Sequence, residues 1–418
     1  MSPSAALTLQ QGLAHLESIV GREYVAIREV AQTIVVSPAD AQQIAEILRF
    51  ANANRLALMP SGGGTKLGWG NPVAPDIELS LRRLDQVREH AWQDMTCTVQ
   101  AGCTWAAMQG QLRRHGQMVV LDPLWPDRAT IGGVAATNDS GPLRLRYGSL
   151  RDVVIGMTVV LADGTIARSG GKVVKNVAGY DLHKLLTGSF GTLGLIAEVN
   201  FRLHPFEEHA RTWTASLPEG SSRVAQLREP LRTLMHSQMT PSCVQVRASA
   251  EQSEVDVRVA GLPGSLDEYD PRVREILSGL SFHESGENVW SARQALFEKG
   301  DPMVLKVSVL PDEVCSVMAE LLHRNSAATE INVVAQANGL IAVSISSLPE
   351  IAMGVMDRLR ERVDASGGSV VVQRAPHSLR GNIDVWGPAP AALPLMREIK
   401  RRFDPNGILN PHRFVGSI

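Results

Sequence analysis

Apolar and polar positions change their period twice between residues 33 and 60, TIVVSPADAQQIAEILRFANANRLALMP. The apolar residues of the middle stretch recur at helical spacing: Ile44, Ile47, Leu48 and Ala51. The pattern predicts a strand, an amphipathic helix and a second strand, with the apolar face of the helix lying on a sheet. Ser37 is the predicted N-cap of this helix, and Pro38 suits its first turn.

The same reasoning predicts further elements as far as Pro205. TCTVQAGCTWAAMQGQLRRHG predicts a strand, a turn and a helix that Thr104 caps and Gly116 ends. ADGT, between the apolar runs VIGMTVVL and IARSG, is a hairpin turn signal. GSFGTLGLIAEVNFRLHP predicts a glycine-rich turn that enters an apolar strand.

The pattern changes after Pro205, where glycine clusters become rarer and two halves of mixed helix and strand follow. From Pro302 the order is β-α-β-β-α-β, which is typical of a ferredoxin-like unit. No strong internal repeat is evident. The tail, LPLMREIKRRFDPNGILNPHRF, predicts a basic helix that ends in an Asp-Pro-Asn-Gly turn.

Three glycine-bearing loops lie beside predicted strands in the first half: Ser61–Gly64, Thr130–Gly133 and Gly188–Gly194. Backbone N–H groups freed of side-chain bulk can approach a diphosphate, and Ser61, Thr65 and Thr130 could add hydroxyl donors. Neither the Walker nor the Rossmann spacing is present. The set indicates a long phosphate-bearing ligand, with glycine turns that serve only the fold as the alternative.

The composition limits the classes of protein to which this chain can belong. Hydrophobic content of 44% and charged content of 20% are ordinary for a globular protein, and the net charge of -2 gives no basis for nucleic-acid binding. Four cysteines without a CxxC spacing indicate neither an iron–sulfur cluster nor a zinc site, so buried free thiols in a reducing cytoplasm are expected. We also expect no signal peptide and no membrane span.

Three stretches together resemble the flavin oxidoreductases of the vanillyl-alcohol oxidase, or p-cresol methylhydroxylase (PCMH), type. They are PSGGGTKLGWG, the region from ATIGGVAATNDSG to VKNVAGYDLHKLLTGSFGTLGLIAEV, and FDPNGILNPHRF. The resemblance covers about residues 30–205 and the C-terminal dozen. Within that superfamily the chain is most similar to FAD-binding subunits of bacterial glycolate oxidases, which have D-lactate and D-2-hydroxyglutarate dehydrogenases as relatives.

The resemblance implies an α+β fold with a two-part PCMH-type FAD-binding domain and an α+β cap that contains the ferredoxin-like unit. The implied FAD domain covers residues 1–205, as subdomains of about 17–92 and 93–205. The cap would span 206–375, and 376–418 would return to the FAD domain.

The resemblance also implies the residues that bind FAD. The first loop would hold the diphosphate, the second would run beside the diphosphate, ribityl chain and ring, and the third would contact the adenosine side or the ring. The implied set is Pro60, Ser61, Gly62, Gly63, Gly64, Thr65, Thr130, Gly132, Gly133, Ala136, Thr137, Ser140, Gly191, Gly194, Ile196 and Asn410. No histidine occurs in the first loop and Cys103 lies in another turn, so the FAD is expected to be non-covalent. No bound metal is expected.

The substrate side departs from the resemblance. Many relatives hold a metal with two histidines of an HxGDGNxH-like stretch, whereas VVVQRAPHSLRGNIDVWGP has only His377. Arg374 and Arg380 are candidates for a carboxylate clamp. Lys175 and Tyr180 are further catalytic candidates, with a structural role in the flavin pocket as the alternative.

These features predict a FAD-binding subunit of a multisubunit glycolate oxidase that oxidises glycolate or a D-lactate-like 2-hydroxy acid. Its partners would be a second, catalytic FAD-binding subunit and an iron–sulfur subunit, and it would be cytoplasmic, reaching the membrane only through the complex. The alternatives are a self-sufficient FAD-dependent 2-hydroxy acid dehydrogenase, a flavin reductase of the enolpyruvyl-sugar type, and a binding module without chemistry.

Overall fold

The computed structural model describes residues 9–29, 32–171, 179–218 and 221–418. Contacts divide the chain into two compact units. The first contains the chain up to Asp139, Ser149–Pro205 and Ala389–Ile418, and the second contains Ser140–Gly148 and Phe206–Pro388. The boundaries expected from the sequence are 205 and 375. No described helix combines the length and the apolar character that crossing a bilayer requires.

The helices, in chain order, have the following bounds. They are α1 (Leu9–Val20), α2 (Ala41–Asn54), α3 (Trp105–Arg113), α4 (Ile131–Thr137), α5 (Arg144–Tyr147), α6 (Leu150–Val153), α7 (Leu182–Leu186), α8 (Arg228–Met235), α9 (Pro263–Ile276), α10 (Ala292–Ala295), α11 (Val314–Leu322), α12 (Pro349–Asp364) and α13 (Leu393–Phe403). The fold thus contains long helices in both units, and they pack on sheets.

The strands of the first unit are β1 (Val25–Arg28), β2 (Thr33–Val36), β3 (Leu58–Ser61), β4 (Ile77–Ser80), β5 (Val87–Ala91), β6 (Thr96–Gln100), β7 (Gln117–Met118), β8 (Val154–Val160), β9 (Ile166–Gly170), β10 (Leu195–Arg202) and β11 (His204–Pro205). Those of the second unit are β12 (Ala210–Leu217), β13 (Cys243–Ala248), β14 (Ser253–Ala260), β15 (Ser281–Ser285), β16 (Met303–Ser308), β17 (Thr329–Gln336), β18 (Leu340–Ser347) and β19 (Ser369–Arg374).

The first sheet has the order β1-β2-β4-β3, in which β2, β4 and β3 run parallel. The predicted strand–helix–strand is confirmed, and α2 buries its apolar face. Its N-cap is Asp40 and not Ser37, because the Asp40 carboxylate accepts a hydrogen bond from the backbone N–H of Gln43. The chain returns from the second unit to lie beside β3, where Leu58 N donates to Ile408 O at 2.8 Å.

The second sheet of this unit is antiparallel, with the order β5-β6-β10-β8-β9. The hairpin predicted at ADGT joins β8 to β9, and Asp163 Oδ1 accepts from Thr165 N within the turn. Thr104 caps α3 as predicted, through a bond from Ala107 N to its hydroxyl.

The second unit contains one eight-stranded sheet, ordered β15-β12-β14-β13-β17-β18-β16-β19. The predicted ferredoxin-like unit is its second half, β16-α11-β17-β18-α12-β19. The first half, β12-α8-β13-β14-α9-β15, has the same connectivity and the same strand order. The sequence has no strong internal repeat, but the topology repeats, with β13 and β17 pairing antiparallel at the centre.

One face of this sheet forms the core of the second unit with helices α8, α9, α11 and α12. The opposite face has polar residues at alternate strand positions, as the period of a strand requires. Among these polar residues several are buried: Thr212, Thr214, Gln245, Asp256, Gln336 and Ser344. We call this surface the polar sheet face.

Candidate functional site

A single cleft in the first unit is lined by most of the predicted cofactor residues. Its walls contain Pro60, Ser61, Gly62, Gly63, Gly64, Thr65, Lys66, Leu67, Leu81, Thr130, Gly132, Gly133, Ala136, Thr137, Phe190, Gly191, Gly194, Leu195, Ile196, Asn410 and Arg413. Apart from Leu81, these residues belong to three loop or helix segments and to the C-terminal segment, which are far apart in sequence. The fold therefore brings together every predicted cofactor residue except Ser140.

The first wall is the glycine loop, which we define as residues 61–67 after β3. A Cβ on Gly62 would lie 2.1 Å from Thr130 Oγ1, and a Cβ on Gly63 would lie 1.6 Å from the carbonyl oxygen of Arg128. Gly64 has a φ of 74°, in the region that favours glycine. The glycines thus let the loop pack closely against the segment before α4 while its backbone stays open to the cleft.

The second wall differs from its prediction as a loop. Thr130 is the N-cap residue of α4, and Gly132 and Gly133 lie inside that helix. A Cβ on Gly132 would lie 2.9 Å from the Cβ of Ala101, so glycine is required for helix packing here. Close packing against the strand before α3 outweighs the low helix propensity of glycine.

The third wall joins the loop before β10 to the C-terminal segment. Asn410 Nδ2 donates to Phe190 O at 2.7 Å, and Gly191 has a φ of 70°. Asn410 is 3% exposed, and its Oδ1 has no hydrogen-bond partner in the structure. A buried acceptor without a partner is costly, so this oxygen suits an N–H donor of a ligand.

Two cations line the cleft that the motif reasoning did not select. Lys66 Nζ lies 3.3 Å from Asp139 Oδ2 and 5.6 Å from the ring centres of Trp69 and Trp125. Arg413 Nη2 donates to Lys66 O and Leu67 O at 3.2 and 2.7 Å. Both side chains are buried. Lys66 lies within the glycine loop and Arg413 three residues after Asn410, and these positions were the only sequence signal that could have found them.

Ser140 does not line the cleft. The chain leaves the first unit after Asp139, and residues 140–148 belong to the second unit. There the carbonyl oxygen of Ser140 accepts a hydrogen bond from Arg293 Nη1 at 2.9 Å. The sequence does not indicate this excursion of the chain, and the cofactor role of Ser140 stays a prediction.

The two arginine candidates bond to groups of the second unit. Arg374 donates to Phe297 O and Gly300 O at 2.5 and 2.9 Å and pairs with Asp301 at 3.3 Å. Arg380 Nε donates to Ala375 O at 3.4 Å. Both arginines thus bond to nearby loop atoms.

Tyr180 is 88% exposed, and Lys175 lies outside the described residues. His377 N donates to Asp301 Oδ2 at 2.7 Å, so this histidine shares the carboxylate that Arg374 binds. Among the residues that the structure describes, no three or more His, Cys, Asp or Glu residues are placed to hold a metal ion.

The four cysteines are buried free thiols, as expected. Burial raises the pKa of the Cys103 thiol to about 11, so it is protonated at neutral pH. Cys103 is also outside the cleft lining. Its role is packing in the turn before α3.

Comparison with known families matches two parts of the chain. Residues 32–170 match the FAD binding domain, and residues 388–414 match the C-terminal domain of FAD linked oxidases. The two matches contain the glycine loop, α4, Asn410 and Arg413. They therefore cover the first two walls of the cleft and the C-terminal part of the third, but not the loop before β10.

Three curated relatives are informative. The chain is 38% identical to the glycolate oxidase subunit GlcD of Bacillus subtilis (strain 168), over 43% of this chain and 39% of the relative. It is 35% identical to a mitochondrial D-lactate dehydrogenase [cytochrome] of Arabidopsis thaliana, over 44% of this chain and 32% of the relative. It is 28% identical to a mitochondrial D-2-hydroxyglutarate dehydrogenase of Bos taurus, over 91% and 76%. The first two matches thus span less than half of each relative.

Solved structures extend the likeness to almost the whole chain. p-Cresol methylhydroxylase matches with a TM-score of 0.77 at 14% identity and covers 98% of both chains. 4-Ethylphenol oxidase from Gulosibacter chungangensis matches with a TM-score of 0.72 at 15% identity, over 99% of this chain and 98% of the other. At these identities the likeness establishes the fold.

The residues of the cleft fit FAD on their own chemistry. The open backbone of the glycine loop and two buried cations suit an anionic diphosphate. The buried Oδ1 of Asn410 suits a ring N–H donor. The predicted α+β fold is confirmed as the PCMH-type flavoprotein fold. Residues 32–170 match the FAD binding domain, and the cofactor is FAD.

Proposed function

We propose that this FAD-dependent oxidoreductase takes part in the oxidation of a small 2-hydroxy acid, glycolate or a D-lactate-like acid, to the 2-oxo acid. The observation that carries the proposal is a cleft fitted to FAD in a chain whose named relatives are a glycolate oxidase subunit and D-lactate and D-2-hydroxyglutarate dehydrogenases. The reaction removes two electrons and two protons from the hydroxy acid. When bound, FAD supplies the acceptor for the two electrons.

The chain's own residues would hold the cofactor non-covalently. The glycine loop would present backbone N–H groups to the diphosphate, and Thr65 and Thr130 would add hydroxyl groups. Asn410 would accept a hydrogen bond at its buried Oδ1, while its amide group keeps the Phe190 carbonyl in place. Fixing the cofactor on both sides would hold it in a constant orientation for the reaction.

We further propose that the chain works as one subunit of a complex, with a second, catalytic FAD-binding subunit and an iron–sulfur subunit as partners. The guanidinium of Arg374, a candidate for binding the acid, donates to loop carbonyls and to Asp301. The glycolate oxidase relative from Bacillus subtilis is itself named as a subunit. Substrate binding would then depend on a partner chain.

A self-sufficient dehydrogenase is the second candidate. It is favoured by the match to D-2-hydroxyglutarate dehydrogenase, which covers 91% of this chain and whose name describes an enzyme without reference to a subunit. In this form the chain would reduce its FAD with the acid directly.

The absorbance of the FAD-loaded chain distinguishes these candidates. The purified protein is mixed anaerobically with glycolate, D-lactate or D-2-hydroxyglutarate, with NADPH as a separate addition. Bleaching by an acid with the chain alone supports the self-sufficient enzyme. Bleaching only after a glycolate oxidase catalytic subunit and iron–sulfur subunit are added supports the subunit role. Bleaching by NADPH and by no acid would contradict both and support a reductase.

A further inference from the structure

A buried ion pair lies behind the cleft wall that Asn410 forms. Lys400, in the last turn of α13, is 9% exposed, and Asp404, which directly follows the helix, is 2% exposed. Lys400 Nζ lies 2.6 Å from Asp404 Oδ2. Neither residue lines the cleft, so neither contacts a ligand there.

The Lys400 ammonium uses all of its donors within the protein. Its Nζ donates to Thr192 O at 2.8 Å, to Leu409 O at 2.9 Å and to the Asp404 carboxylate. An ammonium has three N–H groups, so each group has one acceptor. Burying a charge costs free energy unless an opposite charge and hydrogen bonds compensate for it, and here both are present. A neutral side chain of similar length cannot make these three bonds.

The Asp404 carboxylate fixes the turn after the helix. Its Oδ1 accepts from Ile408 N at 3.0 Å, and its Oδ2 accepts from Leu409 N at 2.7 Å. Ile408 O accepts from Leu58 N, and Asn410 N donates to Leu58 O at 2.9 Å. The carboxylate and β3 together therefore hold the backbone that leads into Asn410.

The bonds of Lys400 join two segments that also meet inside the cleft. Thr192 directly follows Gly191, a residue of the cleft wall, and Leu409 directly precedes Asn410. Inside the cleft, Asn410 Nδ2 donates to a carbonyl oxygen of the same loop before β10. The loop and the C-terminal segment are thus joined twice, once in the cleft and once behind it.

We propose that the Lys400–Asp404 pair is a positioning element of the cofactor site and acts on FAD through Asn410. Because the two segments are joined behind the cleft, the Asn410 amide keeps its bond to the loop and its buried Oδ1 keeps one orientation. An acceptor that is fixed before binding loses less conformational entropy when the ligand binds. The proposal rests on FAD as the ligand of the cleft. It does not depend on the acid that is oxidised or on partner chains.

A double-mutant cycle tests whether Lys400 acts through Asn410. The apoproteins of wild type, K400M, N410A and K400M/N410A are titrated with FAD, followed by the quenching of flavin fluorescence. We expect K400M and N410A each to bind FAD about tenfold more weakly. Effects of residues that act through one another do not add, so the double variant should also lose about tenfold, whereas independent residues would give about a hundredfold.

The matched control for loss of stability is L16A. Leu16 is fully buried in α1, which packs on α2, and it does not line the cleft. Its truncation leaves a cavity that destabilises the fold without changing either segment. FAD affinity of L16A should therefore stay within about twofold of wild type, although thermal unfolding shows a lower midpoint for both L16A and K400M.

Wild-type FAD affinity in K400M would overturn the proposal. A loss of about a hundredfold in the double variant would overturn it too, because the two residues would then act independently. A loss in L16A equal to that in K400M would show that affinity follows stability alone, which also contradicts the proposal. If circular dichroism shows that K400M is unfolded, D404N takes its place in the cycle with the same readings, because it removes the charge and keeps the size of the side chain.

Discussion

The cleft of the first unit and the polar sheet face of the second both bury polar groups, but they use them differently. On the polar sheet face, Asp256 is fully buried and accepts hydrogen bonds from Thr214, Gln245 and Arg247 at 2.6–2.9 Å. In the cleft, Asn410 Oδ1 is buried without a partner. The carboxylate of Asp256 is thus paired within the sheet, whereas Gln245 Oε1 and Gln336 Oε1 on the same face are buried without a partner, as Asn410 Oδ1 is in the cleft.

A second cluster of charged side chains in the second unit is also paired within the fold. Arg258 forms ion pairs with Glu207 and Glu287, and Glu207 also accepts from the Tyr147 hydroxyl. Burial and this carboxylate raise the pKa of Tyr147. The comparison shows that buried charged side chains of the second unit are paired in networks that stabilise the fold.

The largest expected effect is on stability, and it tests the network of Thr214, Gln245 and Arg247 around Asp256. D256A removes the carboxylate that pairs with Arg247, and breaking a buried ion pair costs about 3–5 kcal/mol. We expect the free energy of unfolding, measured by urea denaturation, to fall by that amount, with FAD affinity unchanged. D267A is the control, because Asp267 pairs with Arg211 in solvent and its loss costs less than about 1 kcal/mol. A similar loss in both variants would contradict a special role for the network.

The next effect concerns the glycine loop. In G63A the new Cβ would meet the backbone of Arg128, so the loop must move at a cost of about 3 kcal/mol. FAD affinity should then fall more than about a hundredfold in a fluorescence titration. A Cβ on Gly68 would have open space around it, with no atom beyond its chain neighbours within 4 Å. G68A is therefore a matched control that should bind FAD normally, and normal binding by G63A would show that the loop adapts.

A smaller effect is expected for the acceptor in the cleft. N410A removes the buried Oδ1 and the bond to Phe190 O, so FAD should bind about tenfold more weakly. Because Asn410 has a φ of 42°, alanine also strains the backbone, which thermal unfolding of the apoprotein reports separately. N406A, at an exposed asparagine that bonds to Asn52, should leave FAD affinity unchanged. Equal affinity of N410A and wild type would remove Asn410 from the site.

The smallest effect depends on pH. The backbone N–H of His377, followed by Arg374, lowers the pKa of Asp301 below its ordinary value of 3.8. A lowered carboxyl pKa stabilises the folded state above pH 3.8 and loses that contribution as the pH falls through the folded value. D301N should therefore be less stable than wild type at neutral pH, by under about 1 kcal/mol, and the difference should shrink as the pH falls below 3.8. A difference that grows as the pH falls would contradict this sign.

The sequence was most informative where a motif acts through the backbone. The glycine loop and the cap of α3 follow from residue types that have few alternative uses. Lys66 and Arg413 could not be selected in the same way, because a charged residue next to a motif is usually solvated and only the fold shows that these two are buried. Thr130–Gly133 is expected to be a loop because two adjacent glycines disfavour a helix, whereas close packing on Ala101 requires one of them.

The duplicated sheet has a sequence signal that periodicity alone does not reveal. A Leu-Pro pair stands at or just after the end of each strand that leads toward a helix: Leu217-Pro218, Leu262-Pro263, Leu310-Pro311 and Leu348-Pro349. Proline at the first helical positions has a fixed φ that suits the start of a helix. Four such pairs at equivalent places reflect the repeat, although the surrounding residues have diverged.

The returning C-terminal segment also determines when the cofactor can enter. Residues 408–410 lie beside β3, and Asn410 and Arg413 complete a cleft whose other walls come from the first half of the chain. During synthesis the ribosome must therefore translate the whole second unit before the last wall exists. The cleft is consequently completed late in synthesis, and a nascent chain that stalls before residue 410 would hold a glycine loop without the wall that Asn410 and Arg413 form.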